Sequence, residues 1–484
     1  MVESGFSREW AERAGELVSR EILDPHEENI ITFINLALFW YGQGNAIQIC
    51  YLLSITESRP GDTSILQVEF SRRRFWACFL VGSFCSDTIS SKELPDRALS
   101  LPLPCREADL CQGAYNSSCL NGQRDGNLYG ELVRVMALWN SVCLLVGQQL
   151  SDTSSRVRAI QELDSKILEW RSAMPQSLEL SAATISLVPP HTLPLLLLIH
   201  IVYHQCLCSL HASIIPLFSL GLSEEGFSYA RQISAQIAFE HANSVSSLIE
   251  AMLEHSLDLS RLPSFVGYSA YCSCVIQAPF ISCTKAGIRE RALINVLANL
   301  RVIQQLGKFW KFIYLLGFNF RAVYAAHEKH PPSPNDEPRS MEIHNFNKFA
   351  CCTFRVQTSI LSHNEIVLRA GGSIAEKDNK VIDMGFGDTS HGCAPITDGG
   401  IALLINELSQ LSTRQGETER SSSLGPTPCL VQDATEASQP WLDYGIVNGN
   451  CSIIPDDLEV LGEQMLVFDE WDDPFGVSAD KYYY

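Results

Sequence analysis

The chain has 484 residues, of which 46% are hydrophobic and 19% are charged. This high apolar and low charged content excludes a mainly disordered protein, because a large core can be buried. The net charge of −20 argues against direct DNA binding by the chain as a whole, because Lys and Arg supply most of the affinity for phosphate backbones.

The first predicted helix begins at the sequence Asp24-Pro25-His26-Glu27. Asp24 would be the N-cap residue, and Glu27 would complete a capping box. The helix continues through the apolar run Ile30 to Trp40 and ends at Gly42. Before it, Met1 to Glu9 has no apolar stretch, so we expect no signal peptide.

The densest basic cluster of the chain is Arg72-Arg73-Arg74. We predict that it forms a basic turn at the start of a helix, with Phe75, Phe79 and Phe84 facing a core. The alternative, a nuclear-import element, needs a longer basic run.

Apolar residues further along the chain recur at steps of three and four, which predicts amphipathic helices. Three such stripes are Val157, Ile160, Leu163, Ile167, Trp170 and Met174; Ala238, Ala242, Val245, Ile249 and Met252; and Leu293, Val296, Leu300, Ile303 and Leu306. Strand-like alternation is scarce. The sequence therefore predicts an all-α fold: a large bundle-like domain of many helices with irregular Pro-rich loops and a largely disordered acidic C-terminal tail.

The segment from Leu180 to Ser223 contains no Asp, Glu, Lys or Arg and is long enough to span a bilayer. Pro189, Pro190 and Pro194 interrupt it early, and no Lys/Arg asymmetry flanks it. We therefore predict a buried helix inside a large helical core, and no membrane partner.

The best metal-like pattern lies in this segment, where His200, His204, Cys208 and His211 share one helix face. No carboxylate accompanies them, unlike in the His-Glu-x-x-His pattern of metalloproteases. We favour core side chains that hydrogen-bond to neighbours over a metal site. The 17 scattered cysteines, many of them in apolar runs, are typical of reduced thiols in an intracellular protein.

Patterns for other chemistry are missing from the sequence. No Cys-x-x-Cys pair occurs, although a zinc cluster needs paired thiolates at that spacing. The sequence Gly267-Tyr268-Ser269-Ala270-Tyr271 lacks the second glycine of a nucleophile elbow. No Gly-rich phosphate loop follows a strand. We therefore predict no catalytic residue, no cofactor and no enzyme activity.

The Pro-rich stretch from His327 to Arg339 predicts a domain edge. We predict three parts, namely a helical domain over residues 6–326, a linker with short helices over 327–412 and a tail over 413–484. The short helices are expected near Asn347 to Leu368 and near Ile401 to Leu411.

The tail combines acidic and aromatic residues. Nine acidic residues and no Lys or Arg lie between Asp456 and Asp480. Repulsion among the acids would keep Phe468, Trp471 and Phe475 exposed, so that they can dock in a partner's groove as in acidic activation segments. The alternative is a plain acidic tail that keeps the protein in solution.

Several segments, taken in their order along the chain, resemble those of a known family. They are Tyr41-Gly42-Gln43-Gly44-Asn45 after the helix Ile30 to Trp40, Arg72-Arg73-Arg74-Phe75-Trp76-Ala77-Cys78-Phe79, Leu101-Pro102-Leu103-Pro104-Cys105, Leu163 to Trp170 with Met174-Pro175, and Leu195 to His211 with its Tyr203-His204 pair. Together they resemble the fungal-specific transcription factor domain, or middle homology region, of the binuclear zinc-cluster factors. The resemblance covers roughly the first two-thirds of the chain. It departs from the family at Lys92-Glu93-Leu94-Pro95, near the place of a frequent Gly-Arg-Pro.

The resemblance implies the regulatory part of a nuclear transcription factor, such as an activator of a metabolic or secondary-metabolite gene set. The family's zinc ions and DNA contacts would belong to a module upstream of Phe6, missing either by natural truncation or from an incomplete gene model. The implied partners are the transcriptional machinery or co-regulators at the acidic tail, related factors in homo- or heterodimers, and a small-molecule effector. The alternative function is a helical ligand-sensing or scaffold protein without direct transcriptional output.

Overall fold

The computed structural model describes residues 65–85, 101–113, 119–147 apart from 121, 123 and 125, 152–218, 227–255, 259–351 and 401–411, with a few residues before position 37. The helices in this part of the chain are α1 (Ile65–Cys85), α2 (Glu107–Cys111), α3 (Leu128–Gly147), α4 (Thr153–Ser172), α5 (Leu193–Ala212), α6 (Ser228–Glu254), α7 (Ser264–Gln277), α8 (Ala286–Leu306), α9 (Lys311–Lys329), α10 (Ile343–Cys351) and α11 (Ile401–Leu411).

Short 3₁₀ turns connect or extend several helices, at Gln176–Leu178, Ile185–Leu187, Leu259–Arg261, Ala278–Ser282 and Pro338–Ser340. Among the described residues there is no β-strand, and β-type pairing is limited to one isolated bridge between Pro102 and Cys119. The prediction of an all-α fold is confirmed.

Helix α5 lies at the centre of the helical body and packs against α3, α4, α6 and α7. It begins with a proline in its first turn, where a missing N–H costs no hydrogen bond. Two described helices, α3 and α5, are long and apolar enough to cross a membrane by length and composition alone, but 89% of the α5 window is buried inside the protein. The predicted buried core helix is therefore confirmed at Leu193–Ala212.

The three apolar stripes face the core as predicted. On α4, Ile160, Leu163, Ile167 and Trp170 are buried, while Val157 packs at the margin. All five stripe residues of α6 and all five of α8 are buried as well. A side chain of Asp152 caps the start of α4 by accepting a hydrogen bond from Ser155 N.

The structure corrects the prediction for the basic cluster. Helix α1 already begins at Ile65, so Arg72, Arg73 and Arg74 lie in its middle rather than in a turn at its start. Arg72 and Arg73 reach back one turn to Glu69, a spacing that a continuous helix provides. The hydrophobic residues Trp76, Leu80 and Val81 of this helix are fully buried, whereas Phe75, Phe79 and Phe84 pack only at the margin of the core.

The chain beyond residue 326 adds to the same core. Gln232 of α6 donates to the carbonyls of Pro338 and Met341, and Phe346 of α10 is completely buried. The predicted helix near Asn347 begins at Ile343 and is described to Cys351, and its predicted continuation lies outside the described residues. The division at residue 326 stays a prediction, as does the tail over 413–484.

Helix α11, predicted from its apolar residues, is confirmed, and it packs where α9 has a glycine. A methyl group at Gly317 would overlap the side chain of Ile401 and approach Ile303 of α8. Glu407, two turns further along α11, acts electrostatically on Tyr324, two turns further along α9.

Candidate functional site

The candidate activation anchors Phe468, Trp471 and Phe475 lie outside the described residues. The other sequence feature with possible chemistry, the histidine face of α5, is described in full. Two buried carboxylates and a polar network in the core also emerge, and the sequence pattern predicts none of the three.

The histidine face of α5 is divided among separate partners. His200 Nε2 lies 2.9 Å from Leu178 O, and His211 Nδ1 lies 3.1 Å from the hydroxyl of Ser234. Cys208 Sγ donates to Ala238 O at 3.7 Å. The side chains that share one face therefore form individual hydrogen bonds to α6 and to the turn before α5, rather than converging on one point.

His204 forms the closest contact of this face, with Nδ1 2.7 Å from Nδ1 of His241 on α6. One ring must donate its proton while the other accepts, so the two neutral rings hold complementary tautomers. Burial holds the pKa of His204 well below its usual range, and burial lowers the pKa of His241 to about 4. The pair is therefore neutral at physiological pH.

These contacts are typical of core histidines rather than of metal ligands. Among the described residues, no group of three or more His, Cys, Asp or Glu side chains is placed to hold a metal ion. Burial also raises the pKa of Cys206 and of Cys208, which disfavours the thiolate that a metal would need.

Glu69 on α1 forms a buried ion network that joins two of the family-like segments. Its carboxylate accepts from Arg72 at 2.6 Å, from Arg73 at 3.0 Å and from the backbone N–H of Cys105 at 2.9 Å. Arg73 also donates to Cys105 O at 2.8 Å. The Arg-rich helix and the strip from Leu101 to Cys105 are thus held together through a carboxylate that lies in neither segment.

The same strip contacts α1 one turn further on. The indole N–H of the fully buried Trp76 donates to Pro102 O at 2.9 Å. The buried amide of Asn127 donates to Pro104 O at 2.6 Å, which attaches the strip to the start of α3. The proline residues of this strip have no N–H, but their carbonyls are used as acceptors.

Glu131 on α3 forms a second buried ion network. It is completely buried and accepts from Arg134 at 2.8 Å, from Arg124 at 3.3 Å and from the indole N–H of Trp170 at 3.1 Å. Arg124 also donates to Trp170 O at 2.8 Å. This network holds the end of α4, including the Trp of another family-like segment, against α3.

A polar network lies in the core between α6, α7 and α8 and consists of Ser246, Ser273, Gln277, Asn295 and Asn299, all of them buried. The two serine hydroxyls lie 2.9 Å apart and both donate to Ala242 O. They accept from the amides of Gln277 at 2.9 and 2.8 Å and from that of Asn299 at 2.9 and 3.1 Å. Asn295 donates to Gln277 Oε1 at 2.7 Å, which links the network to the edge of α8.

Comparison with known proteins identifies relatives of one kind. The chain is 22% identical over 362 residues to the Zn(2)-C6 fungal-type transcription factor FTF1c of Fusarium oxysporum f. sp. lycopersici. The matched region covers 65% of this chain and 38% of that protein. It is also 22% identical over 365 residues to factor FTF2 of the same fungus, covering 65% of this chain and 33% of that protein.

The region of similarity thus corresponds to about a third of the length of these relatives. No family model and no solved structure matches it. The chain is therefore similar to Zn(2)-C6 fungal-type transcription factors over 65% of its length.

Proposed function

We propose that this chain is the helical regulatory part of a fungal zinc-cluster-type transcription factor that acts in the nucleus on a metabolic or secondary-metabolite gene set. The observation that supports the proposal best is the similarity to named Zn(2)-C6 factors over 65% of the chain. The family-like segments around Arg73, Cys105 and Trp170 are joined by the Glu69 and Glu131 networks, which agrees with one regulatory helical body. In this proposal, DNA is contacted through a zinc-cluster module and not through the acidic helical body.

The output of the proposed regulator is assigned to the acidic segment between Asp456 and Asp480, with Phe468, Trp471 and Phe475 as anchors. Large apolar side chains on a short helix can enter a hydrophobic groove of a co-regulator, while the surrounding acids keep the segment in water and attract a basic rim. The segment would therefore act as an activator.

The proposal is tested by fusing residues 452–484 to an unrelated DNA-binding domain in a reporter strain. We expect activation well above that of the DNA-binding domain alone, and its loss in the triple variant Phe468→Ala/Trp471→Ala/Phe475→Ala, because the anchors would be gone. The matched control changes Tyr482, Tyr483 and Tyr484 to Ala, which removes three aromatic rings outside the acidic cluster and should retain activation. An inactive wild-type fusion, or an active triple variant, would refute the assignment.

A further inference from the structure

Helix α8 presents a basic face with interspersed apolar side chains to solvent, although the chain as a whole carries a charge of −20. Arg291, Ile294 and Arg301 are exposed and follow one another at steps of three and seven, which places them on one side of the helix, and the exposed Lys308 and Phe309 lie in the turn after its last residue, Leu306. The ring of Phe309 beside Lys308 is 50% exposed, and Ile294 is 46% exposed. We refer to these five residues as the α8 stripe.

The charges of the α8 stripe are not neutralised within the described part of the chain. Neither Arg291 nor Arg301 forms an ion pair there, and Lys308 donates only to the amide oxygen of Gln305. Helix α8 itself contains a single acidic residue, Glu290. Unpaired cations next to exposed apolar side chains match a partner segment that is acidic and carries large apolar groups.

The chain contains such a segment. Residues 456–480 have nine acidic side chains, no Lys or Arg, and the apolar residues Leu466, Val467, Phe468, Trp471 and Phe475. Its charge and its spacing of aromatic among acidic residues complement the α8 stripe.

The packing of α11 anchors the chain that leads to the acidic segment on the helical body. Ile401 contacts Gly317 of α9 and lies close to Ile303 of α8, so the chain enters the tail from a helix that is docked on α8 and α9. About 45 residues separate Leu411 from Asp456, a length that can extend up to ~150 Å. The helical part of the α8 stripe, from Arg291 to Arg301, is only ~15 Å long at 1.5 Å per residue, so reach does not limit the contact.

From this complementarity and tether we propose that the acidic aromatic segment 456–480 binds the α8 stripe of its own chain. The contact would cover Phe468, Trp471 and Phe475, so it would hold the activation surface of the proposed function in a masked state. The inference rests on that proposed function only for its consequence, because the binding itself is a physical contact that is measured without transcription.

The test uses zero-length carbodiimide coupling on the full chain, followed by mass spectrometry of the linked peptides. The reagent joins a lysine ammonium to a carboxylate in direct contact with loss of water. We expect Lys308 to be linked to acids of 456–480 at least about tenfold more than the exposed Lys166, because a tethered segment at its binding site has a high effective concentration. Raising the salt from about 0.05 to 0.5 M should reduce the linkage strongly.

Two pairs of variants check that the α8 stripe is the cause. Arg291→Glu/Arg301→Glu retains Lys308 as the reporter and should abolish most of the linkage. Arg158→Glu/Lys348→Glu makes the same change in net charge at exposed positions of α4 and α10 and should leave the linkage unchanged. The inference is overturned if Lys308 is linked no more than Lys166, or if the linkage survives in Arg291→Glu/Arg301→Glu.

A mixture of isotopically heavy and light chains separates contact within a chain from contact between chains. Linked peptides of mixed isotope content would show that the segment binds a second copy, and would overturn the inference. In a reporter fusion of the full chain, Arg291→Glu/Arg301→Glu should raise activation severalfold over the control pair. If residues 452–484 alone fail to activate while the Lys308 linkage is found, the proposed function fails and the contact stands.

Discussion

Glu131 illustrates how a single residue can join distant parts of this chain. Its carboxylate has no exposed surface, yet it accepts from Arg124, Arg134 and Trp170, of which the last lies 39 positions away in sequence. A buried carboxylate is tolerated only when charged and polar donors surround it, because the loss of hydration must be offset. The residue therefore acts as a connection between α3 and α4.

We expect Glu131→Gln to destabilise the protein by ~3 kcal/mol, because the neutral amide leaves two arginines with one carboxylate fewer. Urea-induced unfolding followed by circular dichroism measures the change. The control Glu162→Gln alters an exposed carboxylate on α4 and should stay within ~0.5 kcal/mol of the unmodified protein. Equal unfolding midpoints for the two variants would contradict the assigned role of Glu131.

Sequence reasoning could not identify Glu69 and Glu131 as important, because a single Glu in a helix normally lies in water. The partners that make their burial possible come from other elements, such as Cys105 N for Glu69. By contrast, the hydrogen bonds of His200 and His211 to neighbouring core groups agree with the interpretation of the α5 histidines as core side chains. The individual partners, including His241, could not be predicted because they depend on the docking of α5 against α6.

At the scale of elements, helix α11 packs its Ile401 side chain directly over a glycine of α9, Gly317. Its buried face consists of Ile401, Leu404 and Leu408, an i, i+3, i+7 pattern that the sequence displays directly. Its docking position could not be predicted, since Gly317 lies 84 residues earlier and resembles any other helical glycine. An isolated helix of this length is marginal in water, so its stability must come from this packing.

We expect Gly317→Ala to displace α11, because the new methyl group would overlap the side chain of Ile401. Hydrogen exchange of residues 401–411 should speed up at least about tenfold, corresponding to a loss of ~1.4 kcal/mol or more of docking energy. The matched control is Gly287→Ala near the start of α8, where a methyl group would meet no atom within 4 Å. Unchanged exchange in Gly317→Ala would show that α11 can be accommodated without the glycine.

At the scale of the whole molecule, burial of neutral histidines couples folding to pH. Burial lowers the pKa of both His241 and His327 from 6.5 to about 4. Between these pH values the unfolded chain binds more protons than the folded chain, so stability falls as the pH is lowered through this window. Each pKa unit corresponds to ~1.4 kcal/mol per group.

We therefore expect the free energy of unfolding to drop between pH 7.5 and 5.0, with ~1–2 kcal/mol contributed by each of these two histidines. The double variant His241→Asn/His327→Asn should lose correspondingly less over the same pH change, whatever its stability at pH 7.5. His191→Asn, at an exposed position, should follow the unmodified protein. The comparison requires urea titrations at both pH values, and parallel losses in all three proteins would refute the prediction.

The all-helical architecture and the inward faces of α4, α6 and α8 could be predicted because apolar periodicity is a local property of the sequence. The start of α1 could not, since Arg72 to Arg74 resemble a helix terminus until their pairing with Glu69 is known. The packing of Phe346 and the Pro338 carbonyl against α6 could not be predicted either, because it depends on residues distant in sequence. The Pro-rich stretch by itself predicts a domain edge.

The polar network between α6, α7 and α8 has a consequence for how this protein can change over evolutionary time. An apolar contact tolerates exchange for another side chain of similar volume, so much of the core can drift. The hydroxyls of Ser246 and Ser273 each serve two amide donors and one carbonyl, so replacing one of them leaves buried donors without an acceptor. Their positions, with Gln277 and Asn299, should therefore covary as a set in distant homologues, and they fix the axial register of three helices against one another.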